Sequence, residues 1–282
     1  MTTVTRFAPS PTGYLHLGHA YSALFAARAA AEVGGRFLLR IEDIDQGRCR
    51  AEFETAIYED LTWLGLAWET PVRHQSAHFG DYAAALGKLA DAGLTYPCFC
   101  TRRDIQAEID AAGGAPHGPD GPVYPGTCKH LSRAAREERI GTGEAHAIRL
   151  DMASAIARTG PLTWTDAAAG IVTANPTRFG DVVLARKDTP TSYHLAVTLD
   201  DHIQGVTLVT RGTDLFEATD VHRMLQALLD LDVPGYHHHP LLTDADGKRF
   251  AKRDKSLTLR ELRESGKSAE EVIRMMDGYV DA

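Results

Sequence analysis

The first forty residues alternate between apolar and polar positions in a way that predicts a strand, a helix and a second strand. An apolar run at 4–8 ends at the Pro- and Gly-rich loop 9–13. Apolar residues then recur at helical spacing across 19–33, up to a pair of glycines, and a second apolar run occupies 36–41. A strand–helix–strand unit of about 40 residues has parallel strands and a right-handed crossover, so we predict a parallel sheet.

The remaining pattern predicts two α/β stretches separated by an inserted segment. The segment 97–190 differs from its surroundings because it holds three of the four cysteines and a Gly- and Pro-rich loop. Outside it we expect helices at 51–65, 81–92, 219–229 and 257–276 and a strand at 193–199; inside it we expect strands at 147–150 and 181–184. We therefore predict an α/β protein made of a parallel-sheet domain in two halves (1–96 and 191–240), an insertion (97–190) and a C-terminal part (241–282).

Composition places the chain among ordinary globular proteins. Of its 282 residues, 44% are hydrophobic and 24% are charged. No stretch approaches the ~20 apolar residues of a membrane span, and the N-terminus has no basic-then-apolar signal pattern. Four cysteines are too few for a disulfide scaffold. We expect a cytoplasmic protein with no membrane partner.

The net charge of −8 argues against indiscriminate binding of nucleic acid, but the charge is unevenly distributed. The window 248–263 holds seven basic and two acidic residues, so it carries +5 and the rest of the chain −13. A basic stripe on an acidic body can contact one phosphate-rich ligand. A solvated helix face preceded by a basic loop is the alternative interpretation.

A histidine motif lies where the first predicted strand gives way to the first helix. It consists of His16, Gly18 and His19, behind the loop that begins at Pro9. The carboxyl ends of parallel strands open onto a ligand crevice, and a helix N-terminus offers free N–H groups to phosphate. Two imidazoles three residues apart can face one phosphate, and the glycine leaves room for a flat base or sugar. The motif predicts nucleotide binding, with an ordinary surface histidine pair as the alternative.

A Gly-led turn loaded with cations follows late in the chain. It runs from Asp246 to Arg253 and includes Arg249 and Lys252. Such a loop can close on a triphosphate and neutralise the charge that develops on a departing pyrophosphate. A solvated basic loop is the alternative.

Three cysteines are spaced as in a metal site. Cys98 and Cys100 form a Cys-x-Cys pair, and Cys128 lies four residues after Tyr124 and two before His130. Three thiolates supply three ligands of a tetrahedral structural zinc site, which needs a fourth. Tyr124 and His130 both compete for that place, and three buried thiols without a metal are the alternative.

Together these motifs resemble those of the class I aminoacyl-tRNA synthetases. The run 9–19 resembles their His-Ile-Gly-His signature. The run 249–253 resembles their Lys-Met-Ser-Lys-Ser loop, with Arg249 in place of the first Lys and Ala251 in place of Ser. Four further segments resemble the glutamate-specific members, in collinear order over most of the chain: 6–10, 39–43, 61–66 and 211–215.

This resemblance implies a fold, a reaction and a set of site residues. The implied fold is a Rossmann-type catalytic domain with an inserted zinc-containing, acceptor-binding subdomain and a short helical C-terminal part. The implied reaction is the activation of L-glutamate to glutamyl-adenylate by ATP, with Mg²⁺ bound beside the ATP. The implied catalytic residues are His16, His19 and Lys252, and the implied ATP-binding residues are His16, Gly18, His19, Arg249 and Lys252. The implied glutamate-binding residues are Arg6, Phe7, Ala8, Pro9, Ser10, Glu42, Tyr193 and Arg211.

Two features resemble the shortened paralogues of these synthetases, which lack the anticodon-binding domain. One is the short stretch after the lysine loop, and the other is the Cys-x-Cys and Tyr-x₃-Cys pattern, which implies zinc on Cys98, Cys100, Tyr124 and Cys128. His130 instead resembles a Cys-x-His variant of some full-length enzymes, so the fourth ligand stays open. The paralogues imply the transfer of glutamate to queuosine at the wobble position of tRNA(Asp). We also expect a monomer. The alternatives are a minimal enzyme that charges the 3′ end of tRNA(Glu), a nucleotidyltransferase, and a non-catalytic zinc- and RNA-binding module.

Overall fold

The computed structural model describes residues 2–111, 116–242 and 257–276. The strands are β1 (Val4–Phe7), β2 (Arg36–Ile41), β3 (Glu69–His74), β4 (Thr95–Cys98), β5 (His117–Gly118), β6 (Gly121–Pro122), β7 (Ala147–Leu150), β8 (Thr163–Asp166), β9 (Gly170–Thr173), β10 (Val183–Ala185), β11 (Leu208–Gly212) and β12 (Gly235–His239). The α-helices are α1 (Leu17–Ala31), α2 (Ala51–Trp63), α3 (Phe79–Asp91), α4 (Arg102–Ala111), α5 (Arg133–Gly141), α6 (Met152–Thr159), α7 (Tyr193–Ile203), α8 (Thr219–Leu229), α9 (Leu259–Glu264) and α10 (Ala269–Arg274). The predicted α/β class is confirmed.

Parallel strands form the framework of the fold. β1 pairs with β2 and β2 with β3, while β11 pairs with β12 and β12 with β8, all in parallel. β1 also lies beside β11, because Thr207 donates its N–H to the carbonyl of Val4 over 3.0 Å and Arg6 donates to the carbonyl of Thr210 over 3.1 Å. The predicted strand–helix–strand unit at the start of the chain is confirmed, and the ends of β1, β2 and β11 open on one edge of the framework.

The segment 97–190 contributes to more than one sheet. β4, β7 and β10 form an antiparallel sheet, and β5 and β6 form a short hairpin. β8 and β9 form a second hairpin, whose first strand lies beside β12. The strands predicted at 147–150 and 181–184 are β7 and β10, the latter shifted by two residues at its start. Through β8 this segment extends the main parallel framework.

One predicted strand is a helix. The apolar run at 193–199 predicts a strand, but the chain forms α7 there, and seven consecutive residues, 195–201, are buried. A helix that is buried on every side has no polar face, so its sequence cannot be distinguished from a buried strand by periodicity. Tyr193 therefore lies at the start of a helix and not on a strand.

Two large apolar cores flank the strands, and two smaller clusters accompany them. The first packs α1 and α2 with the C-terminal helices, through residues such as Tyr21, Leu24, Ile57, Leu61 and Leu262. The second packs α3, α6, α7 and α8, through residues such as Tyr82, Leu89, Leu195, Val221 and Leu225. No helix in the described ranges has the length and apolarity that a membrane span requires.

The C-terminal stretch forms two short helices, where the sequence predicts helical structure throughout. α9 begins with a capping box between Thr258 and Glu261, and a second capping box begins α10 after a break around Gly266. Leu259 donates its N–H to the carbonyl of Leu15 over 2.8 Å, which ties α9 to the segment that precedes α1. The start of α9 is thereby held beside the histidine motif.

Candidate active site

A cavity of about 570 Å³ lies at the open edge of the parallel framework. Its lining includes all the predicted nucleotide and glutamate residues that the structure describes: Arg6, Phe7, Ala8, Pro9, Ser10, His16, Gly18, His19, Glu42, Tyr193 and Arg211. Arg249 and Lys252 lie outside the described residues. Gly212, Asp214 and Leu215, from the segment 211–215 that resembles the glutamate-specific members, also line the cavity. Further lining residues, outside the motifs and segments named above, are Ser22, Val197, Thr210, Leu241 and Leu242.

The cavity is built where two neighbouring strands end. β1 ends at Phe7 and leads into the Pro- and Ser-containing loop, while Glu42 follows β2 directly. The N–H of Glu42 donates to the carbonyl of Pro9 over 2.9 Å, which fixes the two strand ends to each other. The position agrees with the rule that ligands bind beyond the carboxyl ends of parallel strands.

The two motif histidines are held in defined tautomers at the start of α1. His16 is the N-cap: its Nδ1 accepts from the N–H of Gly18 over 3.1 Å, and its own N–H donates to Nδ1 of His19 over 3.2 Å. Since each Nδ1 is an acceptor, the hydrogen of each neutral ring is on Nε2. The rings lie 3.8 Å apart between centroids, so the two imidazoles lie side by side at a helix N-terminus, where phosphate groups commonly bind.

Gly18 permits this stacking. A Cβ atom at this position would lie 3.1 Å from Cε1 and 3.2 Å from Nδ1 of His16. The imidazole of His16 would have to move to make room. Glycine therefore keeps His16 close to the helix end, which is a physical reason for the spacing of the motif.

Arg6 belongs to a buried network of charges. Its Nε lies 3.0 Å from Asp201 on α7, and Arg40 donates to the same carboxylate over 2.8 Å and to Glu42 over 3.1 Å. Burial acts to raise the pKa of Asp201, but the charges and hydrogen bonds of Arg6 and Arg40 hold that pKa below its ordinary value. Burial raises the pKa of Glu42, against the opposing charges of Arg40 and Arg6.

Arg211 is buried among neutral acceptors. Its Nε donates to Nε2 of His238 over 3.1 Å, its Nη2 donates to the hydroxyl of Thr219 over 2.6 Å, and its Nη1 donates to Nδ1 of His222 over 3.1 Å. The hydroxyl of Tyr193 lies 3.5 Å from the same Nη1. No carboxylate in the described ranges forms an ion pair with this guanidinium, although it is only 6% exposed. Among the described residues, the acceptors of this buried positive charge are therefore neutral.

The histidines around Arg211 are neutral for two reasons. Burial, reinforced by the charge of Arg211, lowers the pKa of His238 to about 4 and holds the pKa of His222 well below its ordinary value. In addition, each ring accepts from Arg211 through one nitrogen, so that nitrogen carries no hydrogen. His238 uses its other nitrogen to donate to Asp166 over 2.8 Å.

Several residues of these networks are not indicated by any sequence motif above. They are Asp201, Asp166, Thr219, His222 and His238, whereas Arg40 lies within the segment 39–43, where the resemblance implies a role only for Glu42. One signal was available, since Asp200 and Asp201 interrupt an apolar run, and adjacent buried carboxylates require cationic partners. Nothing in the spacing indicates which arginines those partners are.

The cysteine motif forms a compact cluster away from the cavity. The sulfur atoms of Cys98, Cys100 and Cys128 all lie within 4.8 Å of one another. The hydroxyl oxygen of Tyr124 lies 3.4 Å from Sγ of Cys98 and 3.6 Å from Sγ of Cys100, whereas His130 is exposed and outside the cluster. Ligand atoms about 2.3 Å from one zinc ion lie roughly 4 Å from each other, so the cluster could hold a metal ion.

Two cations of the basic window are in the described part of the chain. Arg260 donates to Glu264 over 2.9 Å and to the hydroxyl of Tyr14 over 2.9 Å. Arg263 donates to Glu59 over 3.0 Å. Both are therefore engaged within the chain, as expected for a solvated helix face, and the other five basic residues of the window lie outside the described residues.

Comparisons with known proteins identify relatives of the whole chain. Residues 2–277 match the family model of the tRNA synthetases class I (E and Q), catalytic domain. A Glutamyl-Q tRNA(Asp) synthetase of Rhodobacter capsulatus is 49% identical over 97% of this chain and 99% of its own length. One of Nocardia farcinica is 44% identical over 96% of this chain and 82% of its length. A Glutamate--tRNA ligase of Aquifex aeolicus is 36% identical over 93% of this chain and 54% of its length.

A solved structure agrees with these relatives. The glutamate-tRNA synthetase of Elizabethkingia anophelis superposes with a TM-score of 0.83 at 26% identity over 98% of this chain. The chain spans 61% of the length of that synthetase. The architecture described above is therefore that of its matched part.

Proposed function

The chain belongs to the family of class I tRNA synthetases for glutamate and glutamine, and we propose that it activates L-glutamate with ATP and transfers it to queuosine in tRNA(Asp). The observation that carries this proposal is the 49% identity to a Glutamyl-Q tRNA(Asp) synthetase over 97% of this chain and 99% of that relative. The cavity supports it, because it combines the histidine motif at a helix start with a buried arginine whose described acceptors are neutral.

In the activation step, a carboxylate oxygen of glutamate attacks the α-phosphorus of ATP. A bond forms between that oxygen and phosphorus, and the bond to the bridging oxygen breaks, so that pyrophosphate leaves with the electron pair. The nucleophile is already ionised, and no general base is needed. The protein accelerates the step by holding the two reactants together and by stabilising charge on the phosphates.

We assign glutamate recognition to the two arginines and to Glu42. The guanidinium of Arg211 has no carboxylate partner among the described residues. We therefore assign it to bind a carboxylate of the substrate. Arg6 shares its charge with Asp201 and is the second cation of the pocket, and Glu42 offers an acceptor for the substrate ammonium. Tyr193 lies beside Arg211, and the loop residues Phe7, Ala8, Pro9 and Ser10 complete this end of the cavity.

We assign ATP binding to the start of α1. The Nε2–H groups of His16 and His19, at the positive end of the helix dipole, are donors for phosphate oxygens, and Gly18 leaves the approach open. ATP enters as its Mg²⁺ complex, which neutralises part of the phosphate charge. From the sequence motif, Arg249 and Lys252 supply cations on the pyrophosphate side.

We propose that the cysteine cluster holds a structural Zn²⁺ ion. Three sulfur atoms and one phenol oxygen converge there, and the set of four suits a tetrahedral ion. This geometry supports Tyr124 over His130 as the fourth ligand. The ion would link β4 to the loop that carries Cys128.

In the transfer step, a hydroxyl of the queuosine cyclopentenediol attacks the activated carbonyl carbon. An ester bond forms, the bond to the adenylate oxygen breaks, and AMP leaves while the hydroxyl proton passes to solvent or to AMP. The protein does this, we propose, as a monomer in the cytoplasm, where tRNA resides.

The test has two stages. ATP–pyrophosphate exchange is measured with glutamate, glutamine or aspartate, with and without tRNA, and we expect exchange with glutamate. Transfer of labelled glutamate is then measured with tRNA(Asp) that contains queuosine or guanine at the wobble position, each lacking its 3′-terminal adenosine. Labelling of the queuosine form alone is expected.

Other outcomes would point elsewhere. Labelling of intact tRNA(Glu) at its 3′ end would indicate a minimal charging enzyme. Nucleotide transfer without glutamate would indicate a nucleotidyltransferase. An absence of exchange under every condition would indicate a binding module.

A further inference from the structure

We propose that His222 is a positioning residue that keeps the charge of Arg211 available and so selects a carboxylate-bearing amino acid, an inference that rests on the proposed function. His222 is 2% exposed and lies on α8, behind the guanidinium rather than in the cavity lining. Its Nδ1 is 3.1 Å from Nη1 of Arg211. It contacts the cation but is not among the residues that line the cavity.

Arg211 determines the direction of its hydrogen bond with His222. An arginine can only donate, so Nδ1 of His222 must present its lone pair, and the ring hydrogen must be on Nε2. That Nε2 lies 3.2 Å from Nδ1 of His194, which is therefore its acceptor. Both nitrogens of His222 are thus satisfied only in the neutral form with one tautomer.

The chain of contacts continues into the inserted segment. Nε2 of His194 lies 3.5 Å from a carboxylate oxygen of Asp120, in the turn between β5 and β6. His194 can therefore accept from His222 and donate to Asp120. Asp120, in the β5–β6 hairpin, thus sets the tautomer of His194. His194 in turn sets the tautomer of His222, from the side opposite to Arg211.

The acceptor at position 222 has to be neutral, because a charged one would neutralise Arg211. A carboxylate at this position would pair with Arg211 in a buried site, where opposite charges attract strongly and water screens little. The substrate carboxylate would then meet a neutralised cation and a nearby negative charge. Glutamine, which is neutral at its side chain, would be affected less, so the preference for glutamate would fall.

Two isosteric substitutions test this directly. In His222→Gln, the amide can accept from Arg211 and donate to His194. In His222→Glu, a carboxylate of the same size as that amide faces Arg211. We expect the KM for glutamate in ATP–pyrophosphate exchange to stay within about 3-fold in His222→Gln and to rise about 100-fold in His222→Glu. In His222→Leu, which has no acceptor, we expect a rise of about 10-fold.

The KM for ATP and the glutamate-to-glutamine ratio separate positioning from a merely structural role. We expect an unchanged KM for ATP in all three variants and a reduced preference for glutamate in His222→Glu. Melting temperatures check folding, and the comparison of Gln with Glu holds even where His222→Leu does not fold. The inference would be overturned by equal KM values for glutamate in His222→Gln and His222→Glu. It would also be overturned if the KM for ATP rose in parallel with the KM for glutamate. A wild-type protein without glutamate-dependent exchange would overturn the proposed function as well.

Discussion

Arg6 of β1 and Asp201 of α7 form a buried ion pair, with Nε of the arginine 3.0 Å from Oδ1 of the aspartate. Asp201 also accepts from Arg40, so one carboxylate serves two guanidinium groups. Arg211, which lines the same cavity, has no such partner in the described ranges. The two arginines of the pocket thus differ: Arg6 is paired with a carboxylate of the protein, whereas the described acceptors of Arg211 are neutral.

We predict that Asp201→Asn destabilises the fold strongly. The substitution keeps the size of the side chain but leaves Arg6 and Arg40 buried without their shared carboxylate, which typically costs about 3–5 kcal/mol. Urea unfolding at pH 7.5 measures the change. Asp232→Asn is the matched control, because Asp232 pairs with His202 but its side chain is 84% exposed. We expect that control to change the free energy of unfolding by less than about 0.5 kcal/mol.

Substitutions of His16 are expected to separate its two roles. His16→Ala removes both the N-cap and the imidazole, so it should lower stability by about 1 kcal/mol and exchange activity by about 100-fold. His16→Asn retains a capping acceptor, and we expect near wild-type stability with the same loss of activity. Exchange rates and urea midpoints of the two variants are compared. Full activity in His16→Asn would exclude phosphate stabilisation by the imidazole.

We expect one zinc ion per chain, with Tyr124 as a ligand. Metal analysis of the purified protein gives the stoichiometry, and competition with a chelating dye gives the affinity. Tyr124→Phe should weaken binding by more than about 100-fold, since loss of even an outer partner typically costs about 10- to 100-fold. His130→Ala and Cys49→Ser should bind as the wild type does, because both residues lie outside the cluster. Loss of zinc in His130→Ala alone would assign the fourth position to His130.

Asp60 is expected to make stability depend on pH. Its side chain on α2 is fully buried, with Arg263 at 3.6 Å and no hydrogen bond to either oxygen within the described ranges. Burial raises its pKa from 3.8 to about 6, against the opposing charge of Arg263. Since the folded pKa is higher than the unfolded one, the stabilising contribution is present below pH 3.8 and is lost as the pH rises through 6.

The substitution Asp60→Asn tests this dependence. At pH 7.5 the buried charge costs about 3 kcal/mol by linkage, so we expect the variant to be about 1–3 kcal/mol more stable than the wild type. At pH 4 we expect little difference. Urea midpoints at the two pH values measure both effects. A less stable variant at pH 7.5 would show that the ion pair with Arg263 outweighs the cost of burial.

The parts of the site that follow from local pattern were predictable from the sequence. His16, Gly18 and His19 stand directly after a strand and its loop, and Glu42 stands at the end of the next strand. The parallel topology of a strand–helix–strand unit brings these positions together without further information. The cysteine cluster follows from spacing in the same way.

The parts that depend on contacts between distant segments were not predictable. Tyr193 was expected on a strand, because an apolar run does not reveal whether its neighbours enclose a strand or a helix. The acceptors of Arg211 come from α8 and β12, and their neutral state results from burial, which spacing does not encode. Fold class therefore follows from pattern, whereas the charge balance of the pocket requires the packed structure.

Asp201 is synthesised long after the two arginines with which it pairs. Arg6 precedes it by 195 residues and Arg40 by 161. At about 5–20 residues per second, Arg6 leaves the peptidyl-transferase centre roughly 10 to 40 s before its partner is made. During that interval the nascent first strands carry two guanidinium groups that cannot be buried without their carboxylate. The ion pairs of Arg6 and Arg40 with Asp201 can therefore form only after the α7 segment has been translated.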